Sequence, residues 1–483
     1  MNLEKIIEGL EITRREGAGG DPEIGAVRFD SRKVGEGDLF VAIRGVTADG
    51  HRYIGDALAR GAAGVVCEGL PAELDQKVAW IAVPDSRVAL SRMASAFYGH
   101  PSRELQLVGV TGTNGKTTIV TLLYQLHILL NFRAGMLSTI RVMIGTQSFP
   151  ATHTTPDPVR INEYLRKMAD GGCEYCFMEV SSHAIDQERI GGLHFTGGIF
   201  TNLTHDHLDY HGDFRKYLTV KKKFFDRLPE EAFALVNRDD RNARVMLQNC
   251  RARKHGYSLR SVADFQGKIR EMHLEGTSLL IDGREVWIMH PGYFNASNLL
   301  SVYGASVLLG HHPDDVLEAL SRLGPVEGRF EMHRSESGTT GIVDYAHTPD
   351  ALKNILDSIR EVIPEGAKII TVLGAGGDRD REKRPVMARI AAESSYRTIL
   401  TSDNPRYEDP GRILDELVAG IADELKGTVM RIVNRREAIR AACMMAETGD
   451  IILVAGKGHE KYQEVKGKRV AFDDMEILKK NMN

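Results

Sequence analysis

Cysteine is scarce in this chain, with 5 residues among 483, an odd number. Such a count argues against a disulfide framework and for a reducing compartment, so we expect a cytoplasmic protein. The longest apolar stretch, residues 119–132, is too short to cross a bilayer, and residues 1–5 lack the basic and apolar regions of a signal peptide. The net charge of −4 has both signs interspersed, so we expect neither nucleic acid nor a membrane as a partner.

Two of the cysteines, Cys173 and Cys176, form a C-x-x-C pair, a spacing that can indicate redox chemistry or a zinc site. No second pair of this kind follows, and Cys176 leads into the apolar residues Phe177 and Met178. We therefore expect two thiols buried in a core.

A glycine-rich stretch, Gly-Thr-Asn-Gly-Lys-Thr-Thr at residues 112–118, is the most informative feature present. It follows an apolar run at 105–110 that predicts a buried strand, and it precedes a helical segment at 119–130. A strand, such a turn and Lys-Thr at a helix start can hold a nucleoside triphosphate, because backbone N–H groups meet phosphate oxygens there. In this arrangement Lys116 would reach the β- and γ-phosphates and Thr117 would hold Mg²⁺. The predicted ATP-binding residues of this loop are Gly112, Thr113, Asn114, Gly115, Lys116, Thr117 and Thr118.

Apolar strands and helical segments alternate along the chain and predict an α/β protein of three domains. We expect a small α/β N-terminal domain at 1–100, a central P-loop ATPase domain with a parallel sheet at 101–328, and a C-terminal Rossmann-like domain at 329–483. Besides the strand before the glycine loop, the predicted strands are 26–29, 39–43, 64–67, 80–83, 176–180, 198–203, 232–236, 341–345, 368–373, 398–401, 430–433 and 451–454. The predicted helices of the third block are 350–362 and 410–425.

Polar side chains follow two apolar strands of the central block. Glu179 ends one of these runs, and residues 202–212 after the next concentrate His and Asp, including His205 and His207. Because the carboxyl ends of parallel strands meet at one edge of a sheet, these groups could hold Mg²⁺ beside the glycine loop. The lysine run at 221–223 predicts no more by itself than a solvated basic face.

These residues together resemble the Mur ligases, ATP-dependent amide-forming enzymes that build the peptidoglycan peptide. The glycine loop shares their offset glycines at 109 and 112, with Val110 where the strict phosphate-loop pattern has glycine. Further matching stretches are 179–183, 207–212, 326–331 and 344–349.

The resemblance implies Mg²⁺ as cofactor and Lys221 as a lysine carbamylated by CO₂, N6-carboxylysine, which would be a carboxylate-like metal ligand. The implied catalytic residues are Lys116, Lys221, Glu179 and His207. The implied metal ligands are Thr117, Glu179, His207 and the carbamate of Lys221. The implied additional ATP contacts are Arg329 and either Asn295 or Asn298.

The first block narrows the resemblance to one branch of the family. Residues 30–32, 37–42 and 49–51 are similar to the members that add the third amino acid to UDP-N-acetylmuramoyl-L-alanyl-D-glutamate. The implied contacts to the UDP-sugar are Ser31, Val46, Thr47 and Ala48. The implied contacts to the muramoyl-dipeptide are Thr154, Thr155, Ser181, Gln187 and Arg189.

The tetrapeptide Asp-Asn-Pro-Arg at 403–406 resembles the family's selector for meso-diaminopimelate. Diaminopimelate carries a second carboxylate that lysine lacks, and a guanidinium can grip it with two hydrogen bonds. An arginine left unpaired by lysine would penalise that analogue. The implied diaminopimelate contacts are Arg379, Asp403, Asn404, Pro405, Arg406, Gly456 and Glu460. By itself, the charged run at 378–384 would indicate only a solvated surface.

The resemblance thus implies a ligase with small-molecule substrates, namely ATP, the UDP-muramoyl-dipeptide and diaminopimelate, and we expect a monomer. The nearest alternative is the lysine-adding enzyme of the same family, which Arg406 disfavours. An enzyme like folylpolyglutamate synthase would share the ATP loop but not the motifs of the first block. A nucleotide-binding module without catalysis is the alternative from another class, and the set of Glu179, His207 and Lys221 disfavours it.

Overall fold

The structure is a computed structural model that describes residues 1–17, 20–45, 48–204 and 208–482. Within these ranges the main sheets follow one another along the chain, and each has its own layers of buried apolar side chains. The fold class is the predicted one: a small α/β unit, then a P-loop unit, then a Rossmann-like unit. None of the helices in these ranges has the length and apolarity needed to span a bilayer.

The first unit is a small sheet with helices on its faces. Its elements are α1 (Leu3–Ile7), β1 (Arg14–Gly17), β2 (Val27–Arg28), β3 (Leu39–Val41), α2 (Ile54–Ala59), β4 (Gly64–Cys67), β5 (Ala79–Ala82) and α3 (Ser86–Phe97). Among the described residues the strand order is β1-β5-β4-β3-β2, parallel except for β1. The strand predicted at 26–29 is shorter than expected, because only two of its residues pair with β3.

The central unit is the largest of the three. Its strands are β6 (Gln106–Thr111), β7 (Ala134–Leu137), β8 (Arg141–Ile144), β9 (Gln147–Pro150), β10 (Tyr175–Glu179), β11 (Gly197–Phe200), β12 (Phe233–Asn237), β13 (Arg253–Ser258), β14 (Phe265–His273), β15 (Gly276–Ile281) and β16 (Arg284–Ile288). Its helices are α4 (Lys116–Leu129), α5 (Pro158–Asp170), α6 (Ser182–Asp186), α7 (Leu208–His211), α8 (Phe214–Asp226), α9 (Ala243–Met246), α10 (Tyr293–Leu308) and α11 (Pro313–Ser321).

The central sheet is parallel in its middle and antiparallel at both edges. Strand β6 lies between β10 and β11, parallel to both, so the glycine loop leaves the middle of the sheet. The hairpins β7–β8–β9 and β14–β15–β16 extend the two edges with antiparallel pairs. The sequence analysis did not predict these hairpins. Turns as short as Gly145–Thr146 and Asp282–Gly283 can join only antiparallel neighbours.

The third unit has a second, mostly parallel sheet. Its strands are β17 (Glu331–Arg334), β18 (Thr340–Asp344), β19 (Ile369–Ala375), β20 (Arg397–Ser402), β21 (Val429–Arg431), β22 (Ile451–Ala455), β23 (Tyr462–Val465) and β24 (Lys468–Ala471). Its helices are α12 (Pro349–Val362), α13 (Lys383–Ser394), α14 (Pro410–Val418), α15 (Arg435–Met445) and α16 (Asp474–Met482). In the described chain the sheet order is β17-β18-β22-β19-β20-β21, and β23 pairs with β24 separately.

One predicted helix of this unit is too long. The segment expected at 410–425 is helical only as far as Val418, and a separate 3₁₀ helix spans Asp423–Thr428. Gly420 lies directly against the Pro385 carbonyl, where a side chain would not fit. The chain therefore turns around α13 instead of continuing the helix.

The C-x-x-C pair is part of the central core, as predicted. Cys173 and Cys176 are both buried and neither forms a disulfide. Burial in apolar surroundings raises the pKa of the Cys176 thiol well above its usual range. The thiols are therefore protonated and act as small apolar groups.

Candidate active site

The glycine loop closes tightly on the neighbouring strand end. Gly112 and Gly115 have φ angles of 151° and 89°, which favour glycine, and a Cβ at Gly112 would collide with the Thr201 hydroxyl. The backbone N–H of Asn114 donates to Asn202 Oδ1 over 2.9 Å, and the Thr201 hydroxyl donates to the Asn114 carbonyl over 2.6 Å. The loop shape is thus fixed by the residues that follow β11.

Two lysines from different helices converge on this loop. Lys116, the first residue of α4, donates from Nζ to the carbonyls of Gly112 and Thr113 over 2.9 and 2.7 Å. Lys221 of α8 donates from Nζ to the same Gly112 carbonyl over 2.9 Å and is only 1% exposed. Its Nζ also lies 4.8 Å from the centre of the Tyr217 ring. Lys221 therefore points into the site, whereas Lys222 beside it pairs with Asp226 over 2.7 Å.

Glu179 brings a buried carboxylate to the same edge of the sheet. It ends β10, in register with Val110 of β6, and is 1% exposed. Its Oε1 accepts the N–H of Thr139 over 2.7 Å, while Oε2 is buried and has no hydrogen-bond partner among the described residues. A buried carboxylate oxygen without a partner is costly, so this atom is a candidate cation ligand.

The residues expected to hold the muramoyl-dipeptide form a connected group from the segments that follow β9 and β10. Thr154, Thr155, Ser181 and Arg189 line the cavity described below. Arg189 donates from Nη1 to the Thr155 carbonyl and from Nη2 to Gln187 Oε1, both over 2.7 Å. Burial lowers the pKa of this guanidinium. Gln187 does not line the cavity and lies behind Arg189, where it also donates to the Tyr210 hydroxyl over 3.2 Å.

The third unit contributes loops from the carboxyl ends of β19, β20 and β22. The predicted residues that line the cavity are Arg379, Asp403, Asn404, Arg406, Gly456 and Glu460. Pro405 does not line it, although its carbonyl packs closely on Gly377. Arg406 has a positive φ of 50° and donates from Nη1 to the Gly377 carbonyl over 2.6 Å. The two arginine-bearing loops are therefore in direct contact.

A buried ion cluster that the sequence analysis missed fastens these two loops together. Arg384, fully buried, donates to both carboxylate oxygens of Glu408 over 3.0 Å and to Glu416 over 2.6 Å. Glu408 also accepts the N–H of Asp378. The hydrogen bonds from Arg384 lower the pKa of Glu408 to about 2. Nothing in the charged run at 378–384 distinguishes a buried arginine from its exposed neighbours.

Arg329 links the third unit to the glycine loop. Its Nη2 donates to the Thr117 hydroxyl over 3.0 Å, and its guanidinium carbon lies 4.5 Å from the centre of the Tyr345 ring. Arg329 also acts electrostatically on Asp344, whose pKa is nevertheless raised because burial outweighs that attraction. The two units are thus connected at the site of the predicted phosphate chemistry.

One cavity of about 950 Å³ joins most of these groups, whereas Gln187, Pro405 and the Arg384 cluster lie outside its lining. It extends from the glycine loop past Glu179 and Lys221 to Arg379 and Arg406 of the third unit. Asn298 of α10 lines it, whereas Asn295 does not and donates to the Pro291 carbonyl over 2.8 Å.

The remaining predicted residues lie elsewhere. Ser31 and Ala48 belong to the first unit and do not line the cavity. Val46, Thr47 and His207 are outside the described residues. In the ranges that are described, no group of three or more His, Cys, Asp or Glu side chains is placed to hold a metal ion.

The fold and the cavity define a three-unit α/β protein in which a nucleotide-phosphate loop faces a Rossmann-like unit. Family patterns match all three units: the Mur ligase family catalytic domain at 23–98, the Mur ligase middle domain at 110–306, and the Mur ligase glutamate ligase domain at 328–458. The chain belongs to the Mur ligase family.

Individual relatives match this chain over almost its whole length. The UDP-N-acetylmuramoyl-L-alanyl-D-glutamate–2,6-diaminopimelate ligase of Bacteroides fragilis is 53% identical over 479 residues, covering 99% of both chains. A solved structure of a ligase with the same name has a TM-score of 0.70 and 30% identity, covering 100% of this chain and 98% of its own. MurF ligase from Thermotoga maritima in complex with ADP has a TM-score of 0.60 and 18% identity, covering 95% and 96%. At that identity it shows the shared fold alone.

Proposed function

We propose that this chain joins meso-diaminopimelate to UDP-N-acetylmuramoyl-L-alanyl-D-glutamate at the expense of ATP, giving the UDP-muramoyl-tripeptide, ADP and phosphate. The observation that carries the proposal is the cavity, because a phosphate loop and an arginine-bearing turn both line it. Full-length relatives named as diaminopimelate ligases, 53% identical, support this choice of substrates.

The reaction consists of two displacements. The γ-carboxylate of the D-glutamyl residue attacks the γ-phosphorus of ATP, so that ADP leaves and an acyl phosphate forms. The amine of diaminopimelate then attacks the acyl carbon, and phosphate leaves as the amide forms. Lys116 stabilises the charge that develops on the transferring phosphoryl group. Residues of both units line the cavity, and we expect them to shield the acyl phosphate from water.

The donor set fits Mg²⁺ as cofactor. Oε2 of Glu179 is a buried oxygen without a protein partner among the described residues, next to the strand that carries the glycine loop. Thr117, Glu179, His207 and the carbamate of Lys221 would hold the metal. When bound, Mg²⁺ supplies positive charge that offsets the charge of the phosphate oxygens.

Carbamylation would change what Lys221 contributes. As an ammonium it donates to the Gly112 carbonyl, and in that form it cannot bind a cation. Addition of CO₂ to the neutral amine, with loss of one proton, gives a carbamate whose oxygens can. The burial of Lys221 beside the glycine loop, and not on the basic face, supports this assignment.

The substrates are distributed over three domains at 1–100, 101–328 and 329–483. Ser31, Val46, Thr47 and Ala48 would hold the UDP-sugar. Thr154, Thr155, Ser181 and Arg189 would hold the dipeptide, with Gln187 supporting Arg189. Arg406 and Arg379 would select the second carboxylate of diaminopimelate, next to Asp403, Asn404, Pro405, Gly456 and Glu460. We expect the enzyme to act as a monomer.

Phosphate release with each substrate omitted in turn tests the reaction. The proposal requires ATP, the UDP-muramoyl-dipeptide and diaminopimelate together for sustained release. Full-rate release without the dipeptide or without the amino acid would contradict it. ATP binding with no amide product would instead indicate the nucleotide-binding module considered above.

A further inference from the structure

Lys457 is a fully buried cation behind the predicted amino-acid pocket. It follows β22, between Gly456 and Gly458, and its side chain is 0% exposed. It does not itself line the cavity, whereas both of its hydrogen-bond partners do. Its hydrogen bonds therefore reach the cavity wall through those partners.

The contacts of Lys457 join residues from two loops. Its Nζ donates to Asn404 Oδ1 and to Glu460 Oε2, each over 3.0 Å. Oδ1 of Asp403 is also close, at 4.0 Å. Asn404 follows β20 and Glu460 follows β22, so the ammonium connects two strand ends of the sheet.

These contacts dictate how the Asn404 amide is oriented. An ammonium can only donate, so the atom it meets on Asn404 must be the oxygen. The same oxygen accepts the N–H of Glu464 over 2.9 Å, and the amide nitrogen donates to Glu460 Oε2 over 2.6 Å. Glu460 thus receives both hydrogen bonds on Oε2.

We propose that Lys457 is a positioning residue for the amino-acid substrate: it sets the orientation of Asn404 and Glu460 and so determines affinity for diaminopimelate. This inference rests on the proposed function. A diamino acid presents ammonium groups, and a correctly turned glutamate is the complementary partner.

A second buried ion pair in the same unit shows what a purely structural pair is like here. Arg435 and Asp474 are both fully buried and form two hydrogen bonds, over 2.8 and 2.6 Å. Neither of them lines the cavity. The partners of Lys457, in contrast, are part of the cavity wall. The contacts of Lys457 therefore affect groups that a ligand in the cavity would meet.

The test is steady-state kinetics of Lys457→Met, which keeps the bulk of the side chain and removes its donors. We expect the KM for diaminopimelate to rise about 10- to 100-fold, because charge-assisted hydrogen bonds orient the pocket. The KM values for ATP and the dipeptide should change less than about twofold, and kcat at saturating diaminopimelate less than about threefold. Lys457→Gln keeps a donor and should show a smaller rise. Lys426→Met, at an exposed lysine of the same unit, is the matched control.

Thermal unfolding of the same variants separates positioning from stability. An unchanged KM for diaminopimelate, or equal rises in all three KM values, would overturn the inference. If Lys457→Met does not fold, Lys457→Gln is judged by the same criteria. Wild-type enzyme that makes no product with diaminopimelate would contradict the proposed function itself, whereas active wild type with an unaffected variant would contradict only the role of Lys457.

Discussion

The phosphate loop and the amino-acid pocket are built in opposite ways. The loop is a continuous stretch between β6 and α4, and we expect its backbone N–H groups to bind the phosphates. The pocket is assembled from separate loops after β19, β20 and β22, and it depends on side chains such as Arg406 and Glu460. A local motif can therefore be recognised in a sequence, whereas a pocket of this kind is defined only once the sheet has aligned its strand ends.

Mutations should consequently be able to separate turnover from the choice of amino acid. Changes at the loop should abolish turnover with every amino acid, and changes in the pocket should alter which amino acid is used.

Loss of Lys116 should have the largest effect. Lys116→Ala removes the ammonium that is placed over the loop carbonyls, and we expect kcat to fall about 1000-fold or more, with diaminopimelate and lysine affected alike. Phosphate release under saturating substrates measures this. Lys254→Ala, at an exposed position of strand β13, is the control, and an equal loss of activity in this variant would contradict the role of Lys116.

Replacement of Lys221 should be almost as severe but partly reversible. Lys221→Ala should reduce activity by about 100- to 1000-fold, and added small carboxylates should restore part of it if a carbamate is the functional group. Lys223→Ala, two residues along the same helix and only partly buried, should remain active. Undiminished activity of Lys221→Ala would show that this lysine has no part in catalysis.

Arg406 should control selection and leave ATP use intact. Arg406→Lys removes the two-pronged donor, and we expect kcat/KM for diaminopimelate to fall about 100-fold while the KM for ATP stays the same. The ratio of rates with diaminopimelate and lysine is the direct readout. Arg412→Lys, at an exposed position of α14, provides the matched control. An unchanged ratio would remove Arg406 from the selector.

Replacement of Glu408 should have the smallest effect on activity and a measurable effect on the free energy of unfolding. Its carboxylate fastens the loops of Arg379 and Arg406, so Glu408→Gln should raise the KM for diaminopimelate only a few-fold. Because Arg384 lowers the pKa of Glu408 to about 2, the native state favours the ionised form. The resulting stabilisation, at most about 3 kcal/mol, is complete above the unfolded pKa near 4.3 and is lost as the pH falls toward 2.

Urea unfolding of wild type and Glu408→Gln between pH 8 and pH 4 checks this pH dependence. The difference in unfolding free energy should be constant from about pH 8 to pH 5.5 and should shrink below about pH 4.5. Glu424→Gln, at an exposed glutamate, should show no such difference. A gap that widened on acidification would contradict the assigned sign.

The sequence analysis predicted what local pattern encodes. The alternation of apolar strands predicted the three-unit α/β fold, and the glycine spacing placed the phosphate loop on β6. It missed the antiparallel edges of the central sheet, because pairing partners at an edge are set by turns and not by strand composition. It also extended one helix past Val418, where packing of Gly420 decides the boundary.

The candidate site likewise combines residues that a local sequence pattern marks with contacts that only the fold creates. A run of lysines at 221–223 cannot show which one points into the site, although the apolar residues at 217, 220 and 224 mark the inner face of α8. The contact of Arg384 with Glu408 spans 24 residues and that of Lys457 with Asn404 spans 53, so neither contact is visible in the sequence and both form only in the folded sheet. The roles of the predicted site residues remain predictions until variants are measured.

The choice of amino acid can be measured by mass spectrometry of the reaction product. The reaction contains the UDP-muramoyl-dipeptide, ATP and an equal mixture of meso-diaminopimelate and lysine. We expect one tripeptide product that contains diaminopimelate, heavier than the lysine product by the mass of one CO₂. A product that contains mainly lysine, or no amide product at all, would contradict the account.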